Sequence, residues 1–298
     1  KTPKIESTGS GGGIKLFCDG IGVRHPDVAN SSRRITASEV ESCRGNGVTE
    51  IVEVKFGYDG IVLANAKSAP VFDVTLREVF LALAKSVPDP SGGSGTIENP
   101  YERWSQINPD LPDFVIEVLG PPPTSGTRDA FLELAMEGGC KTFPALAALK
   151  GDEYRVACHT LREDGRYTDA GENDNLIVQK LEANPRALGI FGYSFLEQNS
   201  DKVRGAQIAG VQPSFDTISD GTYSIAGPLY FYVKKAHVSM IPGIREYLAE
   251  FTRDSAWGDF GYLSDKGLVP LPERERRDVG AQVRALANLQ LDAGRSAH

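Results

Sequence analysis

The chain has 298 residues, 40% of them hydrophobic and 24% charged, with a net charge of −8 at neutral pH. That is enough apolar material for a full core and more length than one small domain needs, so two lobes are expected. The acidic balance disfavours nucleic acid, whose partners usually carry basic surfaces, and no apolar run approaches the roughly 20 residues of a bilayer-crossing helix. The start at Lys1 lacks the basic-then-apolar pattern of a signal peptide, so the chain reads as soluble and as either processed or a fragment.

Ser7-Thr8-Gly9-Ser10-Gly11-Gly12-Gly13 precedes Ile14, Phe17 and Ile21, a spacing that predicts a short helix starting at the glycines. This is an anion-type cradle without the Ser or Thr after Lys15 that a Walker loop requires, and a flexible glycine linker is its plainer alternative. Asn30-Ser31-Ser32-Arg33-Arg34 follows a short apolar element and reads as turn or ligand residues, and Thr36-Ala37-Ser38-Glu39 is a capping box. Ile51–Val54 and Ile61–Ala64 are predicted strands separated by Gly57-Tyr58-Asp59-Gly60, which places Asp59 where the chain changes lobe. Thr75 opens a helix whose core face is Leu76, Val79, Phe80, Leu83 and Ala84.

Residues 88–95 read as loop, 104–112 as an irregular connection, and Phe114–Leu119 as a buried strand. That strand leads through Pro121–Pro123 into Thr124-Ser125-Gly126-Thr127-Arg128-Asp129-Ala130-Phe131, where hydroxyls and a glycine open an amphipathic run. The unpaired amides of a helix N-terminus, the positive end of its dipole and the charge of Arg128 together suit an anion. Asp174 is the predicted cap of a helix carrying Ile177, Val178 and Leu181, followed by a strand over Leu188–Tyr193. A second crossing is expected at Gly221–Pro228, then a strand at Leu229–Val233 and a helix marked by Ile244, Tyr247, Leu248 and Phe251. Leu268–Pro272 closes the ordered part, and residues 273–298 read as a surface helix with a frayed tail. Strands alternating with helices imply an α/β fold with largely parallel sheets.

The four cysteines fall into two local pairs, Cys18 with Cys43 and Cys140 with Cys158, with no zinc-ribbon spacing. Two disulfides, and hence an oxidising compartment, are the expectation; four buried thiols are the alternative. Catalysis finds no support. There is no Gly-x-Ser-x-Gly elbow, His25, His159, His237 and His298 stand in unrelated contexts, and Asp169, Glu172 and Asp174 read as a solvated turn. Trp104 and Trp257 are expected to pack, and no cofactor or metal is expected.

Thr8-Gly9-Ser10-Gly11-Gly12-Gly13, Ala29-Asn30-Ser31-Ser32-Arg33, Tyr58-Asp59-Gly60 and Ser125-Gly126-Thr127-Arg128-Asp129-Ala130-Phe131 together resemble the phosphate-binding proteins of phosphate ABC importers. Leu188-Gly189-Ile190-Phe191-Gly192-Tyr193 and Pro228-Leu229-Tyr230-Phe231-Tyr232-Val233 extend the resemblance over nearly the whole chain. It implies a two-lobed α/β fold of the type II periplasmic-binding-protein kind, each lobe a mostly parallel sheet flanked by helices, closing on its ligand like a Venus flytrap. Lobe one would be residues 1–59 and 226–298, and lobe two residues 60–225. The resemblance carries phosphate-binding roles to Ser10, Ser125, Gly126 and Thr127. Ser32 stands where many members have aspartate. Asp59 is expected to take over as acceptor for the proton of hydrogen phosphate, and Arg128 to stand in for an arginine often found before the loop. The family's first strand and its Gly-Ser-Ser-Thr loop do not precede Lys1, so lobe one is expected to lack them. The implied protein is a monomeric, periplasmic or extracytoplasmic, non-enzymatic carrier that delivers phosphate to a membrane ABC permease. Alternatives are a sulfate, molybdate or tungstate carrier, or a phosphatase-like enzyme on the same fold.

Overall fold

The computed structural model describes residues 3–6, 8–93, 95–171 and 173–291. The principal elements in chain order are α1 (Gly9–Cys18), β1 (Val28–Ser31), α2 (Ala37–Gly45), β2 (Ile51–Ala66), α3 (Leu76–Leu83), β3 (Val118–Gly120), α4 (Gly126–Phe131), β4 (Tyr167–Asp169), α5 (Asp174–Ala183), β5 (Leu188–Gly192), β6 (Val203–Gly205), β7 (Ala226–Lys234), α6 (Ile244–Phe251) and α7 (Glu273–Arg284). Contacts divide the chain into two compact units, one formed by Lys1–Tyr58 with Pro228–His298 and the other by Asp59–Gly227.

In the first unit β1 lies antiparallel to β7, with Val28 opposite Val233 and Ser31 opposite Tyr230. Successive side chains of β7 point to opposite faces, as a pleated strand requires. Tyr230 and Tyr232 join Ile14, Phe17, Val40 and Cys43 in one apolar cluster. Phe231 and Val233 join Val54, Leu248, Trp257 and Val283 in another. α2 starts on the expected capping box, the Thr36 side chain accepting from the Glu39 amide while Glu39 accepts from the Thr36 amide at 2.8 Å. α1 is tied at its C-terminal end by a disulfide from Cys18 to Cys43 in α2.

In the second unit β3 runs parallel to both β4 and β5. The second half of β2 lies antiparallel to β5 and β6, with Ile61 opposite Gly192 and Ala64 opposite Gly205. α3 buries Val79, Phe80, Leu81, Ala82 and Leu83 and begins on a capping box from Thr75 to Glu78. From α4 the helical path continues through a π-turn at Leu132–Met136 to Cys140. Cys140 is bonded there to Cys158 at the end of a helix spanning Gly151–His159. Among the described residues no helix is long and apolar enough to cross a membrane.

The alternation of strands and helices is the expected α/β pattern, and the parallel pairs made by β3 fit it. The strands that carry the chain between units pair antiparallel instead. Lys235 donates to Glu50 O and Ile61 to Ile225 O, so β7 runs back along β2 as it returns.

Several local expectations are corrected. β2 is one strand of 16 residues rather than two strands around a glycine turn. Its glycines answer to packing: a Cβ on Gly57 would lie 2.7 Å from Val269 O, and one on Gly60 2.7 Å from Ile218 Cδ1. The buried strand expected over Phe114–Leu119 is shorter and later, Val118–Gly120, with Val115 exposed. α5 is capped by Asn173, whose side chain accepts from the Asn175 amide, one residue before Asp174. Ile21 lies beyond α1 and is exposed, because Asp19 and Gly20 end the helix first. The 104–112 connection contains a helical turn at Trp104–Ile107, and Ser86–Pro88 pairs with Thr96–Glu98 across the 88–95 loop. Trp104 and Trp257 are fully buried, as expected of packing residues. Ser7, Glu172 and the tail from 292 to His298 lie outside the described residues.

Candidate anion site

The first group of expected ligands comes from α1. Four of its ten residues are glycine, Thr8 supplies no side-chain cap, and Gly9 has φ +69, a region glycine enters without strain. Such a sequence holds a helix poorly by propensity, at about 1 kcal/mol per glycine relative to alanine. Tertiary anchors compensate at the other end. Ile14 and Phe17 are wholly buried, and Cys18 is bonded to Cys43. Lys234, itself buried, donates from Nζ to Gly20 O at 2.5 Å across the Phe17 ring, and burial draws its ammonium down to about 8.

The helix start is thereby placed beside the end of β1. Ser10 Oγ accepts from the Ser32 amide at 3.1 Å and shares a hydrogen bond with Ser32 Oγ at 2.8 Å. The two hydroxyls therefore form one polar patch at a helix N-terminus. The neighbouring arginine is committed elsewhere, since Arg33 grips Glu39 with both terminal nitrogens at 3.0 and 2.7 Å.

The second group follows β3. Pro121 and Pro122 stiffen the exit from the strand, and the Ser125 amide donates to Pro122 O at 3.0 Å, closing a turn that opens α4. Ser125 is the N-cap and is buried, yet its hydroxyl makes no capping bond. Geometry leaves the amides of Gly126, Thr127 and Arg128 without acceptors in the preceding turn. A Cβ on Gly126 would meet nothing within 4 Å, so open space adjoins the loop.

Arg128 is half-buried. Its guanidinium lies 4.9 Å from the centroid of the Tyr167 ring and approaches Pro121 O at 3.4 Å from Nη1. Among the described residues no carboxylate forms an ion pair with it, in contrast to Arg33, Arg34, Arg162 and Arg276. A half-buried cation without a carboxylate partner among the described residues, in the same loop as the Ser125 hydroxyl and the first amides of α4, is equipped to hold an oxyanion by charge-assisted bonds.

Asp59 belongs to the same unit and sits in β2. It is half-buried, and burial, only partly offset by a hydrogen bond from the Gly60 amide, pushes its carboxyl up to about 6. An ionised carboxylate accepts hydrogen bonds and cannot donate. The structure thus brings Ser10 to Ser32 in one unit and holds Ser125, Gly126, Thr127 and Arg128 contiguous in the other.

Tyr167 was not among the residues singled out from the sequence. Its signal was indirect: Gly120 ends β3 with no room for a side chain, because a Cβ there would lie 2.7 Å from Tyr167 Cε2. The remaining catalytic candidates have structural roles. His237 is fully buried; the Gly22 amide donates to its Nε2 at 2.9 Å, so its proton sits on Nδ1 and is given to Asp27 at 2.6 Å. Both ring nitrogens are occupied and neither is free to act as a base. His159 meets Glu137 at 3.1 Å, and Asp169 accepts from the Gly171 amide in a turn. Among the described residues no group of three or more His, Cys, Asp or Glu side chains is placed to hold a metal.

The fold is that of a PBP domain: the chain belongs to the PBP superfamily, whose domain matches residues 1–255. It is similar to the protein SphX of Synechococcus elongatus, 27% identical over 97% of this chain and 75% of that protein. It is also similar to the phosphate-binding protein PstS of Staphylococcus saprophyticus, 25% identical over 90% of this chain and 71% of that one. Among solved structures, a possible phosphate binding protein from Planctomyces limnophilus superposes with a TM-score of 0.70 at 23% identity, covering 93% of this chain and 86% of that chain. PstS from Borrelia burgdorferi does so with a TM-score of 0.58 at 17% identity, over 88% and 84%. The resemblance drawn from the motifs is borne out, and the fold is that of type II periplasmic binding proteins.

Proposed function

We propose that this chain binds inorganic phosphate outside the cytoplasm and hands it to a membrane ABC permease. The observation that carries this reading is Arg128, a half-buried guanidinium with no carboxylate partner among the described residues, in the first turn of α4, whose N-cap Ser125 makes no side-chain capping bond. Ser125, Gly126, Thr127 and Arg128 would grip the phosphate oxygens, and Ser10 and Ser32 are the further ligands proposed. Asp59 would accept the proton of hydrogen phosphate. Phosphate-named relatives over most of the chain support the choice of ligand. The two disulfides suit an oxidising compartment. Each charge-assisted bond contributes about 1.5–3 kcal/mol, so the set reaches the roughly 8 kcal/mol of a micromolar complex even after the ion is dehydrated.

Asp59 is also what favours phosphate over sulfate, molybdate or tungstate. A carboxylate that only accepts rewards a protonated oxyanion and repels one with no proton to offer near neutral pH. Calorimetry of the monomeric chain against phosphate, sulfate and molybdate at pH 7.5 tests the reading. Phosphate alone should give strong heat, and binding of sulfate but not phosphate would overturn it.

A further inference from the structure

We infer that Tyr167 is a positioning residue for anion binding: its ring is the platform that holds the Arg128 guanidinium beside the Ser125-Gly126-Thr127 loop. The inference rests on Arg128 being an anion ligand, as proposed above, and on geometry within one unit. Tyr167 is the first residue of β4 and pairs in parallel register with Val118 of β3, three residues before Pro121. Its hydroxyl donates to Pro121 O at 2.8 Å, the same carbonyl that Arg128 Nη1 approaches at 3.4 Å. The ring face lies 4.9 Å from Arg128 Cζ. One side chain therefore fixes both the backbone turn that opens α4 and the cation above it.

Two details show that the position is built. Gly120 admits no Cβ, because Tyr167 occupies that space, so strand and ring are fitted to one another. The guanidinium has no carboxylate to orient it among the described residues, unlike Arg162, whose two nitrogens meet Asp164 at 2.8 and 2.5 Å. A carboxylate would orient Arg128 too, but would spend the charge that the anion needs. An aromatic face orients the planar cation through its π cloud and leaves the N–H edge free for an oxyanion. A long flexible side chain would otherwise be immobilised at the moment of binding, and holding it in advance removes that entropic cost from the affinity.

The test is a double-mutant cycle on the full chain, read by phosphate calorimetry. Tyr167→Leu should weaken phosphate binding about tenfold and Tyr167→Phe about threefold, the latter keeping the ring and losing only the bond to Pro121. In an Arg128→Gln background Tyr167→Leu should change affinity less than about twofold, because nothing is left to position. A loss of equal size in both backgrounds, or no loss from Tyr167→Leu, would overturn the inference. If Tyr167→Leu does not fold, Tyr167→Met, which also removes the ring, carries the same comparison. A second readout is independent of phosphate: the Arg128 Nε–H proton should show an upfield ring-current shift in the wild-type protein that is retained in Tyr167→Phe and lost in Tyr167→Leu. Absence of phosphate heat in the wild type would refute the ligand assignment, whereas absence of that ring-current shift would refute the platform.

Discussion

Replacing Asp59 by asparagine should stabilise the ligand-free protein at neutral pH, although it alters a residue at the proposed site. The carboxyl is pushed from its usual 3.8 up to about 6, by burial that the Gly60 amide only partly offsets. A displacement of that size corresponds to about 3 kcal/mol between charged and neutral forms. The direction follows from which state holds the proton more tightly. Below about pH 3.8 the carboxyl is neutral in both folded and unfolded chains and contributes nothing. Between about 4 and 6 the unfolded chain ionises first, so the native state loses stability as pH rises. Above about 6 the native carboxylate is charged and the full cost remains. Asparagine has no charge to bury, so Asp59→Asn should match the wild type near pH 3.5 and exceed it by about 3 kcal/mol at pH 8. Urea denaturation at the two pH values, without phosphate, measures both differences. A variant less stable than the wild type at pH 8, or a gain independent of pH, would refute the reasoning. The carboxylate's cost in the empty protein is also its use, because a ligand that donates a proton to it relieves the unfavourable burial.

Asp59→Asn should in addition narrow the preference for phosphate over sulfate, since the amide can donate as well as accept; calorimetry showing an unchanged ratio would remove Asp59 from the site. Mass spectrometry after alkylation under non-reducing conditions should find no free thiol among the four cysteines, and four labelled thiols would contradict the Cys18–Cys43 and Cys140–Cys158 bonds. Loss of either bond through paired serine substitutions should cost about 3 kcal/mol of stability, given sequence separations of 25 and 18 residues, and thermal unfolding would reveal it.

The sequence was most legible where a local rule and a packing rule agree. Thr36 with Glu39 and Thr75 with Glu78 close the expected capping boxes, and the apolar spacing after Thr75 became the buried face of α3. The cysteine pairs could be read because short separations leave few alternatives. Errors arose where a residue type has two physical uses. Gly57 and Gly60 looked like turn residues, but in β2 they make room for Val269 and Ile218, a demand set by chain more than 150 residues away. The Ser125-Gly126-Thr127 loop could be found because it is contiguous. Its support could not, because Tyr167 lies about 40 residues further along and reaches Arg128 only through the β3–β4 register. The bonds from His237 to Asp27 and Gly22 were equally hidden, since they join segments more than 200 residues apart.

The most direct measurement is a crystal structure grown with phosphate. Tetrahedral density should lie against Ser125 Oγ, the amides of Gly126 and Thr127, and the N–H edge of Arg128. Density for phosphate elsewhere, with Arg128 contacting no anion, would contradict the account.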